Sequence, residues 1–164
     1  MKSLLLIRHA KSSWDNFLLQ DIDRPLNERG TVDAPNMVKR LLNRSVYIDS
    51  FISSPAKRAF DTCRQFIKAY GENEKDILIK PELYLPPVNA FYEVIEKLDD
   101  DCSSVAVFSH NPGITNFANE LTSVHVDNMP TCSIYAIKVN LKKWKDFEKA
   151  DKKFWFFDYP KKGS

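Results

Sequence analysis

Arg8 and His9 close an apolar run, Leu4-Leu5-Leu6-Ile7, and open a polar stretch, Ala10-Lys11-Ser12-Ser13. His110 stands in the same relation to Val105-Ala106-Val107-Phe108-Ser109. A neutral imidazole is a competent nucleophile near neutral pH. Arg8, and Arg58 shortly after a third apolar run, carry fixed charge on a donor fork that fits phosphoryl oxygens. A second imidazole, protonated, can steady the oxygens of a group in transfer. Phosphoryl transfer needs mainly positioning and charge neutralisation. Arg8, His9, Arg58 and His110 could supply both without a metal. Taken singly, each has a plainer reading: a structural histidine, or a solvated arginine on a helix. Their coincidence at three strand ends is what points to an anion site.

The elements that must position these residues are legible as apolar runs. Leu4–Ile7, Tyr47–Ile52, Ile77–Ile79 and Val105–Phe108 are short and nearly continuous, as strands covered on both faces tend to be. Cys132–Val139 alternates and predicts another strand, and Phe154–Phe157 predicts one at an edge. Helical spacing links Ala34, Met37, Val38, Leu41 and Leu42. It recurs in Ala56, Ala59, Phe60, Cys63, Ile67 and Tyr70, then in Val88, Phe91, Ile95 and Leu98, and in Ile114, Phe117, Ala118 and Leu121. Strands alternating with helices predict an α/β fold with a mainly parallel sheet and right-handed crossovers. Pro35 leaves two starts for the first helix, near Asp33 or at an Asn27 cap with a kink. Ser54-Pro55 and Asn111-Pro112 each follow a strand and read as a cap followed by proline in the first helical position. Ligands of open α/β sheets collect at such strand ends, where helix N-termini favour anions.

Composition narrows the class. A chain of 164 residues predicts one domain over residues 1–164. The 24 basic and 22 acidic residues leave a net charge of +2, too balanced for a nucleic-acid or membrane-surface protein. Cys63, Cys102 and Cys132 are widely spaced with no CxxC, which suggests neither a disulfide framework nor a zinc site. The apolar stretch after Met1 is too short for a signal peptide, and no segment has membrane-span length. A cytoplasmic protein is expected.

The motifs resemble those of a known family. Leu6-Ile7-Arg8-His9-Ala10-Lys11-Ser12-Ser13-Trp14 resembles the Arg-His-Gly/Ala signature of the histidine phosphatase superfamily. Ser53-Ser54-Pro55-Ala56-Lys57-Arg58-Ala59 and Phe108-Ser109-His110-Asn111-Pro112 resemble its second and second-histidine motifs. Asp23-Arg24-Pro25-Leu26 with Arg29-Gly30, and Pro81-Glu82-Leu83-Tyr84, match further stretches. The likeness is greatest to SixA-type phosphohistidine phosphatases. It implies a three-layer αβα sandwich with a mainly parallel central sheet, phosphoglycerate mutase-like. It implies that His9 becomes phosphorylated, that Arg8 and Arg58 bind the phosphoryl group, and that His110 completes the pocket, with no cofactor.

For the general acid, Glu82 is one candidate, and Asp15, Asp21 and Asp23 could approach from the loop after His9. A phosphohistidine substrate weakens that requirement, because imidazole leaves easily once protonated. Lys11, Ser12 and Ser13 are candidates to line a phosphate loop, and Thr62 to orient Arg58. Arg24 would close the site or form a structural ion pair. His125 reads as surface. Lys142–Lys153, with Trp144 and Phe147, reads as an amphipathic surface helix or hairpin, with partner docking as the alternative. The expected partner is a phosphohistidine-bearing protein. The other readings are a small-molecule phosphomonoesterase and a phosphate-binding module without turnover. Oligomeric state is not written in any pattern.

Overall fold

Side chains alternate across a strand, so β1 (Lys2–Arg8) sends Leu4 and Leu6 to one face and Leu5 and Ile7 to the other. Both faces are buried, which is why the run is continuously apolar. The computed structural model describes residues 1–162. Its six-stranded sheet has the order β3-β2-β4-β1-β5-β6, with β2 Ser50–Ser53, β3 Leu78–Ile79, β4 Ser104–Ser109, β5 Ile134–Asn140 and β6 Asp151–Asp158. The β3-β2, β2-β4 and β4-β1 pairings are parallel, and β1-β5 and β5-β6 are antiparallel.

Helices α1 (Glu28–Asn43) and α2 (Lys57–Ala69) cover the face carrying Leu5, Ile7 and Phe108. Helices α3 (Val88–Glu96) and α4 (Gly113–Leu121) cover the face carrying Leu4, Leu6 and Val107. The three-layer αβα sandwich is therefore as expected, with the mainly parallel sheet in the middle.

Several boundaries differ from those the sequence predicts. The strand expected over Tyr47–Ile52 begins only at Ser50. Tyr47 is exposed, and Asp49 spends its carboxylate on the backbone N–H groups of Ser103 and Ser104. α1 starts after the Asn27 cap, whose Oδ1 accepts from Gly30 N–H at 2.9 Å, and Pro35 lies inside the helix. Neither Ser54 nor Asn111 caps a helix. α2 begins at Lys57 after Ala56, and α4 at Gly113 after Pro112. Each proline thus precedes its helix, and the polar side chain before it turns to other work.

The lysine-rich segment also differs. Trp144 and Phe147 sit in a 3-10 helix, Trp144–Lys149, with both side chains fully buried beside α3 and α4. The Trp144 indole N–H donates to Cys102 O at 2.9 Å. Full burial of such side chains contributes about 1.5–3 kcal/mol each. They are core, so their aromatic surface is not free to dock a partner. β6 then completes a hairpin with β5 at the sheet edge.

Candidate active site

Parallel register brings the chemistry together. β1 and β4 pair from Ser3↔Ser104 to Arg8↔Ser109, so His9 and His110 leave neighbouring strands at the same level. His9 N–H bonds Ser109 O at 3.2 Å, and the two imidazole centroids lie 5.2 Å apart. β2 flanks β4 on its other side, and Ser54 N–H bonds Phe108 O at 3.0 Å. From there the chain enters α2, which delivers Arg58 in its first turn. Arg8, His9, Arg58 and His110 thus line one cleft of about 210 Å³, together with Lys11, Ser12, Trp14 and Arg24.

The tautomer of His9 follows from one contact. Its Nδ1 lies 2.8 Å from Ala10 O. A carbonyl only accepts, so Nδ1 carries the proton and Nε2 keeps its lone pair. Burial holds the ring neutral against the opposing pull of the Ala10 carbonyl. With Arg58, Arg8 and Arg24 adding repulsion, its pKa falls to about 3. A neutral imidazole with a free Nε2 is the nucleophilic form.

Three buried nitrogens nearby have no partner among the described residues: Arg8 Nε, Arg58 Nε and His110 Nδ1. Buried polar groups are normally paired, and orphans concentrated in one cleft signal a ligand. One comes from each of the three strand ends. Arg58 Nη2 and His110 Nε2 are held by Asp21 Oδ2 and Ser54 Oγ. Arg8 Nη1 donates to Met129 O at 2.8 Å, and Arg58 Nη1 to Asp21 O at 2.7 Å. His110 is neutral, not protonated as expected from its sequence context. Burial, then His9 and Arg58, push it down to about 2.

The loop after His9 is clamped from below. Thr62 Oγ1 accepts from Ala10 N–H at 3.0 Å and donates to the Arg58 backbone carbonyl at 2.8 Å, so it binds loop to helix, while the Arg58 guanidinium is oriented by Asp21. Arg24 forms the ion pair considered for it and stands in the cleft wall. It donates to Ser12 Oγ at 2.8 Å and Ser13 O at 3.1 Å, pairs with Asp21 at 3.2 Å, and lines the cleft.

The carboxylates sort differently from the leading expectation. Glu82 is exposed and lines a separate cleft with Lys80, Lys97 and Asp99. The 3-10 turn Pro81–Leu83 is anchored by Ser109 Oγ on Leu83 O at 2.7 Å, and it is the next residue, Tyr84, that faces the site. Tyr84 Oη donates to Asp21 Oδ2 at 2.5 Å, and its ring meets the His110 ring edge-on at 5.5 Å. Asp21 is therefore the carboxylate that contacts the arginines of the cleft, Arg58 and Arg24. Burial alone would raise its pKa, but the Tyr84 hydroxyl, Arg58 and Arg24 together bring it down to about 2. His125 is exposed, as expected.

In the sequence, Tyr84 stands out only as a motif member, and Ser54 as a motif member and an apparent helix cap. Ser54 Oγ lies 2.7 Å from His110 Nε2. The signal that points to this contact is strand order: once β2 and β4 are neighbours, the residue after β2 must abut the residue after β4.

The model of the histidine phosphatase superfamily (branch 1) matches residues 4–84 of the chain. An uncharacterised chloroplast protein of Arabidopsis thaliana is 26% identical over 153 residues, covering 88% of this chain and 70% of that protein. A SixA structure from Agrobacterium tumefaciens superposes with a TM-score of 0.81 at 22% identity, covering 97% of this chain and 98% of the other. The protein histidine phosphatase SixA complexed with tungstate gives 0.78 at 23% identity, covering 96% and 97%. A mycobacterial glucosyl-3-phosphoglycerate phosphatase gives 0.67 at 13% identity, each chain covered in full. At these identities the structures establish the shared fold. Among the described residues no helix is long and apolar enough to cross a membrane.

Proposed function

Because this chain belongs to the histidine phosphatase superfamily, we propose that it is a phosphatase that removes phosphate from phosphohistidine on a protein, through a phosphorylated His9. The observation that carries the reading is the pairing of His9 with the three orphaned donors. His9 offers a free Nε2 lone pair in the cleft where Arg8 Nε, Arg58 Nε and His110 Nδ1 await acceptors. In the first step His9 Nε2 forms a bond to phosphorus as the phosphorus–nitrogen bond of the substrate breaks. The departing imidazole keeps that electron pair. When its far nitrogen already bears a proton, it leaves as neutral imidazole. Water then attacks phosphorus, releasing inorganic phosphate and restoring His9. Arg8 and Arg58 neutralise charge on the equatorial oxygens throughout.

Two features favour a phosphohistidine protein over a small phosphomonoester. An alkoxide needs a proton as it leaves, and the carboxylate at the site, Asp21, is held ionised by Tyr84, Arg58 and Arg24. The rim is also apolar and open. Trp14 at the cleft edge, and Phe17 and Leu18 farther along the same loop, are 73%, 89% and 82% exposed. A groove of about 710 Å³ adjoins the cleft through Lys11, Ser12 and Trp14. Such a mouth suits a side chain presented on a protein surface. A module that only binds phosphate has no use for a free imidazole lone pair aimed at the bound group.

The test is hydrolysis of a ³²P-labelled phosphohistidine protein beside a panel of sugar phosphates. The expected result is release of phosphate from the protein, label trapped on His9 after a quench, and no release by His9→Ala. Undiminished turnover by His9→Ala sinks the covalent route, and activity confined to the sugar phosphates sinks the substrate.

A further inference from the structure

We infer that Ser54 is a positioning residue that fixes the ring proton of His110 on Nδ1, so that His110 donates a hydrogen bond to a phosphoryl oxygen in the cleft. This rests on the reading that a phosphoryl group occupies the cleft, and it assigns a role to a residue outside the four that surround it.

Counting donors and acceptors gives the argument. Ser54 is fully buried. Its Oγ accepts from Ala56 N–H at 3.1 Å and meets His110 Nε2 at 2.7 Å. The hydroxyl has one proton, and His110 Nε2 is the acceptor within reach of it. If Nε2 carried the ring proton, two faults would follow. The serine O–H would be a buried donor without an acceptor, at a cost comparable to a lost hydrogen bond. The bare Nδ1 lone pair would also face phosphoryl oxygens, lone pair against lone pair. With the proton on Nδ1 the serine O–H is satisfied, and the one orphan left, Nδ1–H, gains its acceptor when a phosphoryl oxygen enters the cleft. A chain runs from Ala56 N–H to Ser54 Oγ–H to His110 Nε2, and Nδ1–H, which has no partner among the described residues, is left for the ligand.

The backbone holds Ser54 to this duty. It follows β2 directly, its N–H is bonded to Phe108 O, and β2 and β4 are in register up to Ser53↔Phe108. The neighbouring Ser53 hydroxyl donates instead to Ser54 O at 2.8 Å and is no rival for the ring. The groups facing His110 keep the ring from taking a second proton. Burial, His9, Arg58 and Arg8 oppose it, and only Asp21 favours it. His9 and His110 thus share one tautomer for different ends. Ala10 O takes the Nδ1 proton of His9 and frees Nε2 to attack, whereas Ser54 occupies Nε2 of His110 and frees Nδ1–H to donate.

The test reads the ring directly. Imidazole ¹⁵N shifts are recorded on the full chain, free and saturated with inorganic phosphate, with His9→Gln and His125→Gln spectra assigning the other two rings. The expected wild-type spectrum shows His110 protonated on Nδ1 and bare at Nε2 in both states. Ser54→Ala should populate the Nε2–H form and weaken inorganic phosphate binding about tenfold, on the scale of partial loss of one preorganised donor. Its melting temperature should fall by a few degrees, because Ala56 N–H loses its acceptor, and Ser54→Thr should restore the tautomer and the phosphate affinity. A wild-type His110 protonated on Nε2, or on both nitrogens, overturns the inference without reference to any variant. So does a Ser54→Ala protein with unchanged tautomer and phosphate affinity. Phosphohistidine is not used, so failure to hydrolyse it would count against the proposed substrate and leave this assignment standing.

Discussion

Asp21 holds Arg58 twice: its backbone carbonyl takes Nη1 at 2.7 Å and its Oδ2 takes Nη2 at 3.0 Å. Both bonds use the guanidinium edge formed by the two terminal nitrogens and leave Nε orphaned. The contact therefore aims the arginine and does not consume the donor left for a ligand. It also keeps Asp21 ionised, which makes it a poor proton donor.

Asp21→Asn separates positioning from acid catalysis. The amide oxygen can still accept from Arg58, but no carboxylic acid is available. Turnover of a phosphohistidine protein should fall by no more than about tenfold, well short of the roughly 10²–10⁴ that loss of a general acid costs. Steady-state kinetics check this, and a thousandfold drop in kcat would make Asp21 the acid after all.

Gly30 lets α1 approach the loop after His9. Asn27 N–H bonds Lys11 O at 2.9 Å, and a Cβ on Gly30 would sit 2.2 Å from that same oxygen. The obstacle is backbone, not a flexible side-chain tip. Gly30→Ala should lower stability by about 1–3 kcal/mol through overpacking. Phosphate affinity should drop with it, because the displaced loop carries Ser12 and Lys11. Urea melts and phosphate titration of the folded fraction test both. Unchanged values in each would show that the loop shifts freely.

Local pattern suffices for the layers of the fold and for the four residues at its strand ends. Leu4–Ile7 and Val105–Phe108 are apolar throughout because both sheet faces are covered, and that same burial marks the strand ends bearing His9 and His110. Local pattern misleads where position depends on which strands are neighbours. Ser54 resembles a helix cap because Ser-Pro often is one, yet its partner lies across a strand pairing that no local pattern encodes. Glu82 belongs to a motif, but the 3-10 turn rotates it outward and presents Tyr84. Trp144 and Phe147 stand among lysines whose charge suggests solvent, although the aromatic rings between them are core.

The site histidines should make the protein acid-sensitive. Folded pKa values of about 3 for His9 and about 2 for His110 lie below the 6.5 of an unfolded histidine. Between those limits the unfolded chain binds more protons, so stability falls as pH falls from 6.5 toward 3. At pH 5 the loss is at most on the order of 2 kcal/mol per histidine. Urea denaturation at pH 7 and pH 5 should show wild type losing more stability than the double variant His9→Gln, His110→Gln, in which the remaining carboxylates titrate alike. Equal losses in the two proteins would mean that neither ring is neutral in the fold.

Trp14 covers Arg24, whose guanidinium carbon lies 3.5 Å from the indole centroid. Arg24 is held independently by Ser12, Ser13 and Asp21, so the indole is not needed to place it. An exposed aromatic left over from positioning is available to a docked surface. Trp14→Ala should raise KM for a phosphohistidine protein about threefold to tenfold, the scale of one cation–π or apolar contact. Inorganic phosphate, too small to reach the rim, should bind within about twofold of wild type. The comparison needs only initial rates on the protein and a phosphate titration. An equal weakening of both would mean that Trp14 acts on the phosphate pocket through Arg24 and that the rim makes no contact with the protein substrate.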